Sequence, residues 1–182
     1  MTDNFKYLES VLPFGEGVQF LVYLHRRKKD NAELQDDFVD EANPDVLKGW
    51  WIVRSAEELR GLEGLLRAES EKHHARVCIV ATPMKRQDFA EDEFPRALKS
   101  FSHDDNLYQF DCDKVDMPNL PDIRALINSS MPEGNKILYE VPTPGGGKHI
   151  ITTPFMVGDF KARYPGIRLG INRGTVLYFN KS

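Results

Sequence analysis

Cysteine is scarce: the 182 residues contain two, Cys78 and Cys112. Neither belongs to a CxxC pair or sits at metal-ligand spacing from a histidine. Each lies inside an apolar stretch, so both read as small buried hydrophobes rather than a disulfide or a metal pair. Long apolar runs are missing as well, and none approaches the roughly 20 residues that span a bilayer. The opening MTDNFKYLES is polar and acidic, unlike a secretory leader. A cytoplasmic protein with no membrane partner is therefore expected. An excess of positive charge is also absent: the formal net charge is -4, whereas proteins that coat nucleic acid by bulk electrostatics are basic. Any nucleic-acid contact has to come from a local patch. No repeat, linker or low-complexity tract is visible, and the length suits one α+β domain over 1–182 with its own core.

What charge there is lies segregated. His25-Arg26-Arg27-Lys28-Lys29 is strongly basic, and the stretch from Asp30 to Asp45 that follows is dense in Asp and Glu. It reads as a solvated loop after a strand, or as a phosphate-binding strand end that the acidic loop screens. Residues 18–24, VQFLVYL, predict a strand, and 50–53, WWIV, a second. Ser55 opens a helix, with Glu58 in capping-box position and Leu59, Leu62, Leu65 and Leu66 on one face. His73-His74 ends that helix as a cap favoured by its dipole. Residues 76–81, RVCIVA, read as a central strand, 88–101 as a helix with Pro95 in its first turn, and 107–112, LYQFDC, as a strand running into acids. A turn at 116–119 and a helix at 121–129 follow. Then come strands at 136–141 and 149–153 around PTPGGGK, a helix at 159–164, and a final hairpin of strands near 167–171 and 175–179. Connections too short for parallel crossovers predict one mostly antiparallel sheet with helices packed on it.

Two constellations carry candidate chemistry. In Asp111-Cys112-Asp113 the carboxylates are two apart, so on a strand they share a face, and a divalent cation such as Mg²⁺ or Mn²⁺ would relieve their repulsion. The plainer alternative leaves both exposed at the strand end, one capping the next turn. In Gly145-Gly146-Gly147-Lys148-His149 the glycines allow close approach of backbone amides to a ligand, Lys148 adds charge, and His149 can bind a phosphate or move a proton. The alternative here is an ordinary hairpin loop. The run is not a P-loop, because the glycine spacing differs and His149 follows the lysine. Lys114-Val115-Asp116-Met117 lacks the glycine of a ligase KxDG motif, and His149-Ile-Ile-Thr152 has neither the spacing nor the second copy of an HxT phosphodiesterase.

The ordered set, FDCD at 110–113, a helix, a strand, a Gly-rich turn and GKH at 147–149, resembles the catalytic core of the archaeo-eukaryotic primase superfamily. RVCIV at 76–80 resembles the strand that precedes the DxD strand in its plasmid-replication branch. The resemblance covers about residues 75–180, and PTPGGGKHIITTPF is also similar to a group of uncharacterised phage and bacterial proteins. It implies an RRM-like palm sheet, with Asp111 and Asp113 holding Mg²⁺ or Mn²⁺ and His149 in the catalytic set. Gly146, Gly147, Lys148 and Thr152 would contact nucleotide phosphates, and Arg26, Arg27, Lys85 and Arg86 would guide nucleic acid. The superfamily's third acid has no counterpart in the last strand, Thr175–Phe179; Asp116, Glu140 and Asp159 are substitutes outside the motif. Two readings follow. One is a nucleic-acid- or nucleotide-binding module without catalysis, serving as a phage or mobile-element accessory factor with a possible protein partner. The other is a metal-dependent nucleotidyltransferase. Tyr108, Tyr139 and Tyr178, on predicted strands, are either core residues or stacking platforms for bases.

Overall fold

The computed structural model describes residues 1–27, 30, 45–90, 92–99 and 106–180. The order is β1 (Thr2–Asp3), α1 (Phe5–Val11), β2 (Val18–Arg27), β3 (Asp45–Val53), α2 (Ala56–His73), β4 (Arg76–Val80), β5 (Met84–Lys85) and α3 (Phe94–Lys99). There follow β6 (Tyr108–Cys112), a 3-10 helix (Lys114–Asn119), α4 (Leu120–Ser129), β7 (Ile137–Pro142), β8 (Lys148–Thr152), α5 (Gly158–Arg163), β9 (Arg168–Ile171) and β10 (Gly174–Phe179). Among the described residues no helix is long and apolar enough to cross a membrane. Lys28, Lys29 and the acidic stretch after Asp30 lie outside the described residues, apart from Asp45 on β3.

The class is α+β with antiparallel pairing throughout, but the strands make two sheets rather than one. The larger runs β1-β10-β4-β2-β3, with the short β5 also on β2. The smaller runs β7-β8-β6-β9. From β6 to β9 the chain follows a β-α-β-β-α-β order with its first strand between the third and the fourth, the split-βαβ arrangement of RRM-like sheets. This unit is inserted between β4 and β10 of the larger sheet, so β9 and β10 are not a hairpin. Asn172, at φ 49, turns the chain from one sheet into the other. Its Oδ1 accepts from Thr82 Oγ1 (2.8 Å) and Leu107 N–H (3.0 Å), so the crossing point is held from both sides.

Alternation within strands sets the layers. Phe20, Val22 and Leu24 of β2 pack with Val77 and Ile79 of β4 against α1 and α2, while Leu21 and Val80 face the opposite way, toward Met84 and Ala97 of α3. Helix α2 begins as its sequence indicates: Ser55 Oγ accepts the Glu58 N–H at 3.1 Å, and left-handed His74 closes it. Leu59 and Leu66 are buried, whereas Leu65 is exposed, because four leucines span a wider arc than the sheet covers. In the smaller sheet Phe110, Cys112 and Ile150 pack with Ile123 and Ile127 of α4 and Phe160 of α5. The 116–119 turn is part of the 3-10 helix; Pro118 lies within it, and α4 follows directly, with Pro121 in its first turn.

Helices cover one face of the smaller sheet, whose other face looks toward the face of the larger sheet that carries Leu21, Tyr23 and Val80 and is covered in part by α3. The sheets meet where Val141 and Ile151 join the core beneath α1 and α2. The buried Asn4 amide ties this junction by donating to Val176 C=O (2.7 Å) and Pro142 C=O (3.0 Å).

Candidate functional site

Between the facing sheets lies a cleft of about 350 Å³. Its floor is the helix-free face of the smaller sheet, and strand register builds it. Asp111 on β6 stands directly between His149 on β8 and Arg168 on β9. Two residues earlier on the same face, Gln109 stands between Ile151 and Gly170. The facing wall is the larger sheet, with Tyr23, His25, Arg76 and Cys78. Arg173, beside the Asn172 crossing, completes the lining.

His149 joins the two sheets. Its Nδ1 is 2.8 Å from Thr175 Oγ1 on β10, and its Nε2 is 3.4 Å from Asp111 Oδ1. With Nε2 protonated toward the carboxylate, Nδ1 accepts the threonine hydroxyl. This Asp-His-Thr chain has the order of a nucleophilic triad, but Thr175 is fully buried and no substrate can reach its oxygen. The chain positions the imidazole at the cleft wall and leaves the Asp111 side chain, 43% exposed, facing solvent.

Cations dominate the lining: three arginines against a single aspartate. Arg76 is held by Asp30 through two bonds of 2.6 and 2.8 Å. Arg168 and Arg173 are exposed and make no ion pair with any described residue. The Arg173 stem lies across Gly170, where a Cβ would come within 2.3 Å of its Cδ. Glycine at 170 is thus what lets Arg173 lie over the floor.

The expected site residues are divided. Asp111 and His149 come together as neighbours. Asp113 leaves the strand and precedes the 3-10 helix, where its N–H donates to Asp116 Oδ2 at 2.8 Å. That explains an exposed second acid, and it removes Asp116 as a cleft ligand. Among the described residues no group of three His, Cys, Asp or Glu side chains is placed to hold a metal. Lys148, adjacent to His149 on a strand, points to the other face. There its Nζ is 2.9 Å from Glu140 Oε2, and Arg124 grips the same carboxylate at 2.5 and 2.6 Å. The Arg124 guanidinium, and then Lys148, hold the Glu140 carboxyl below its ordinary range. Thr152 shares the Lys148 face and is fully buried. Asp159 lies exposed in the first turn of α5. Burial pushes the Cys112 thiol up to about 12, so it is inert.

The Gly-rich loop is a tight turn, not an open cradle. Thr143 N–H donates to Gly147 C=O and Gly146 N–H to Thr143 C=O, both at 3.0 Å, and Gly146 has φ 79. Gly147 presses on the end of β6, where an added Cβ would lie 2.1 Å from Cys112 O. Gly147 is the residue that seats the hairpin on the Asp111 strand.

The basic residues do not form one patch. Arg26 is near the end of β2, and Lys85 and Arg86 are beside its start, where Lys85 pairs with Val18 and Arg86 N–H donates to Gly17 C=O. Eight residues of strand, roughly 25 Å, separate them. The side chain of Arg27 lies outside the described residues. Tyr108 packs toward α5, Tyr178 is buried, and Tyr139 packs against the first core, so none of the three lines the cleft. Sequence reasoning missed Gln109, Arg76, Arg168 and Arg173. Period two on the strands offered a signal, since stepping back from Asp111 gives Gln109. Comparison with family models, curated proteins and solved structures finds no match for the chain.

Proposed function

We propose that the protein binds a nucleotide, free or as the terminal unit of a nucleic acid, in the inter-sheet cleft, as a binding module rather than a catalyst. The observation that carries this reading is the convergence of Arg76, Arg168 and Arg173 on one cleft of an otherwise acidic chain, with Arg168 and Arg173 free of ion pairs among the described residues. Guanidinium groups match phosphate oxygens bidentately. The volume is within the range of small-molecule sites. The split-βαβ topology of the smaller sheet supports the likeness to a primase-type palm at the level of fold alone.

One feature keeps a metal-dependent nucleotidyltransferase as the second reading: the Asp111 carboxylate stands exposed beside His149 on the cleft floor. Asp113 is not beside it in the cleft, so Mg²⁺ or Mn²⁺ would depend on Asp111 and on the bound phosphates for its protein-side and ligand oxygens.

Calorimetry with a nucleoside triphosphate and with a single-stranded oligonucleotide tests both readings, on the wild type and on Arg168→Ala/Arg173→Ala. Binding that falls at least ten-fold in the double variant is expected. Equal binding by both proteins, or none by either, refutes the cleft as the site. A gain in affinity with Mn²⁺ that Asp111→Asn abolishes would favour the enzyme.

A further inference from the structure

The two ends of the cleft differ in kind. At one end stand Asp111, His149 and Arg168. About 7 Å back along β6 the lining is uncharged apart from the overlying Arg173, and its most buried polar side chain is Gln109. Gln109 is 7% exposed. Its Nε2 donates to Gly174 C=O at a long 3.5 Å, and its Oε1 is buried with no hydrogen-bond partner. Buried carboxamide oxygens are ordinarily paired. Gln109 lines the cleft, with Tyr23 on the opposite wall and the Arg173 stem across the neighbouring Gly170.

We infer that Gln109 reads the base of the bound nucleotide, taking a hydrogen bond from an exocyclic amine beside a ring-nitrogen acceptor, as adenine presents at N6 and N7. The inference rests on the nucleotide reading above and adds the ligand's orientation. Phosphates lie at the Arg168 end, and the base lies between Tyr23 and Gln109. The chemistry follows from the unfilled atom. Oε1 needs a donor, and Nε2 retains an N–H that can serve an adjacent acceptor. A carboxamide therefore pairs bidentately with the amine and ring nitrogen of adenine. A base with a carbonyl in place of the amine sets oxygen against oxygen and leaves Oε1 unpaired. Arg173 and Tyr23 supply planar groups on which a base can stack.

The test compares ATP, inosine triphosphate and inorganic tripolyphosphate by calorimetry on the wild-type protein and on Gln109→Met. A bidentate pair discriminates by roughly five- to 150-fold. The wild type should bind ATP about ten-fold or more tighter than either of the others, and Gln109→Met should bring ATP to the level of tripolyphosphate. Equal affinities for ATP and tripolyphosphate in the wild type overturn the inference while leaving the cationic cleft intact, and so does an ATP preference that survives Gln109→Met. Absence of binding by all three overturns both. The ATP-against-inosine comparison needs no variant, so a poorly folded Gln109→Met does not blunt it.

Discussion

Replacing Gly147 with alanine should destabilise the protein more than any other single methyl group added to the PTPGGGK loop. The added Cβ would sit 2.1 Å from Cys112 O and 3.0 Å from both Cα and C of Asp113, whereas ordinary contact begins near 3.4 Å. The obstacle is backbone, which cannot swing away like a side-chain tip. The hairpin must retreat from β6 by about 1 Å, and the pairs Cys112–Lys148 and Asp111–His149 lie in the path of that movement. Overpacking of a tight site costs about 1–3 kcal/mol, and a backbone clash belongs at the upper limit. For a chain of this size each kcal/mol lowers the melting temperature by about 2–4 °C, which gives a fall of about 6–12 °C. The control is Gly145→Ala, two residues away, where nothing lies within 4 Å of the added methyl group. Thermal melts and urea titrations on the two variants read the difference. A Gly147→Ala protein that melts with Gly145→Ala and keeps the wild-type urea slope would refute the claim that this loop is packed on the Asp111 strand.

Three further perturbations have defined outcomes. If Arg168 and Arg173 each neutralise one phosphate of a single strand, Arg76 being already paired with Asp30, log K should fall with log salt at a slope of about -1.4. Arg168→Ala should reduce that slope by about 0.7, read by fluorescence anisotropy between 50 and 200 mM salt. Glu140 has its folded-state pKa lowered by Arg124 and Lys148 from a reference of 4.5. Its contribution to stability is therefore complete above the unfolded value and lost as pH falls through the folded one. Glu140→Gln should flatten the acid side of the stability profile below about pH 4.5, as followed by urea midpoints. Leu66, fully buried, should cost about 2–5 kcal/mol on replacement by alanine. Leu65→Ala, on the exposed side of the same helix, should stay within about 0.5 kcal/mol by chemical denaturation.

Local chemistry was legible from the sequence. The β-branched run of β2, the Ser55–Glu58 start of α2, the apolar β4 between two neighbours and the β6 strand running into acids all follow from short-range patterns. Their hydrogen bonds and alternation are settled within a few residues. Asp111 and His149 were legible as well, since each marks an end of a predicted strand. The opposite orientation of Lys148 was available too, because adjacent strand residues face opposite ways.

Only the tertiary structure decided the rest. That β9 and β10 enter different sheets depends on Asn172 and on partners 65 and 90 residues distant, Leu107 and Thr82. No local pattern distinguishes such a crossing from a hairpin. The arginines of the cleft come from two segments, β4 and the β9–β10 crossing, and each alone reads as an ordinary surface residue. They became a site because the helix-free face of the smaller sheet stands across from the part of the larger sheet that α3 leaves open. The sequence specifies which residues alternate along a strand. Which of the two faces is left open depends on what packs against the other, and that is a property of the whole chain.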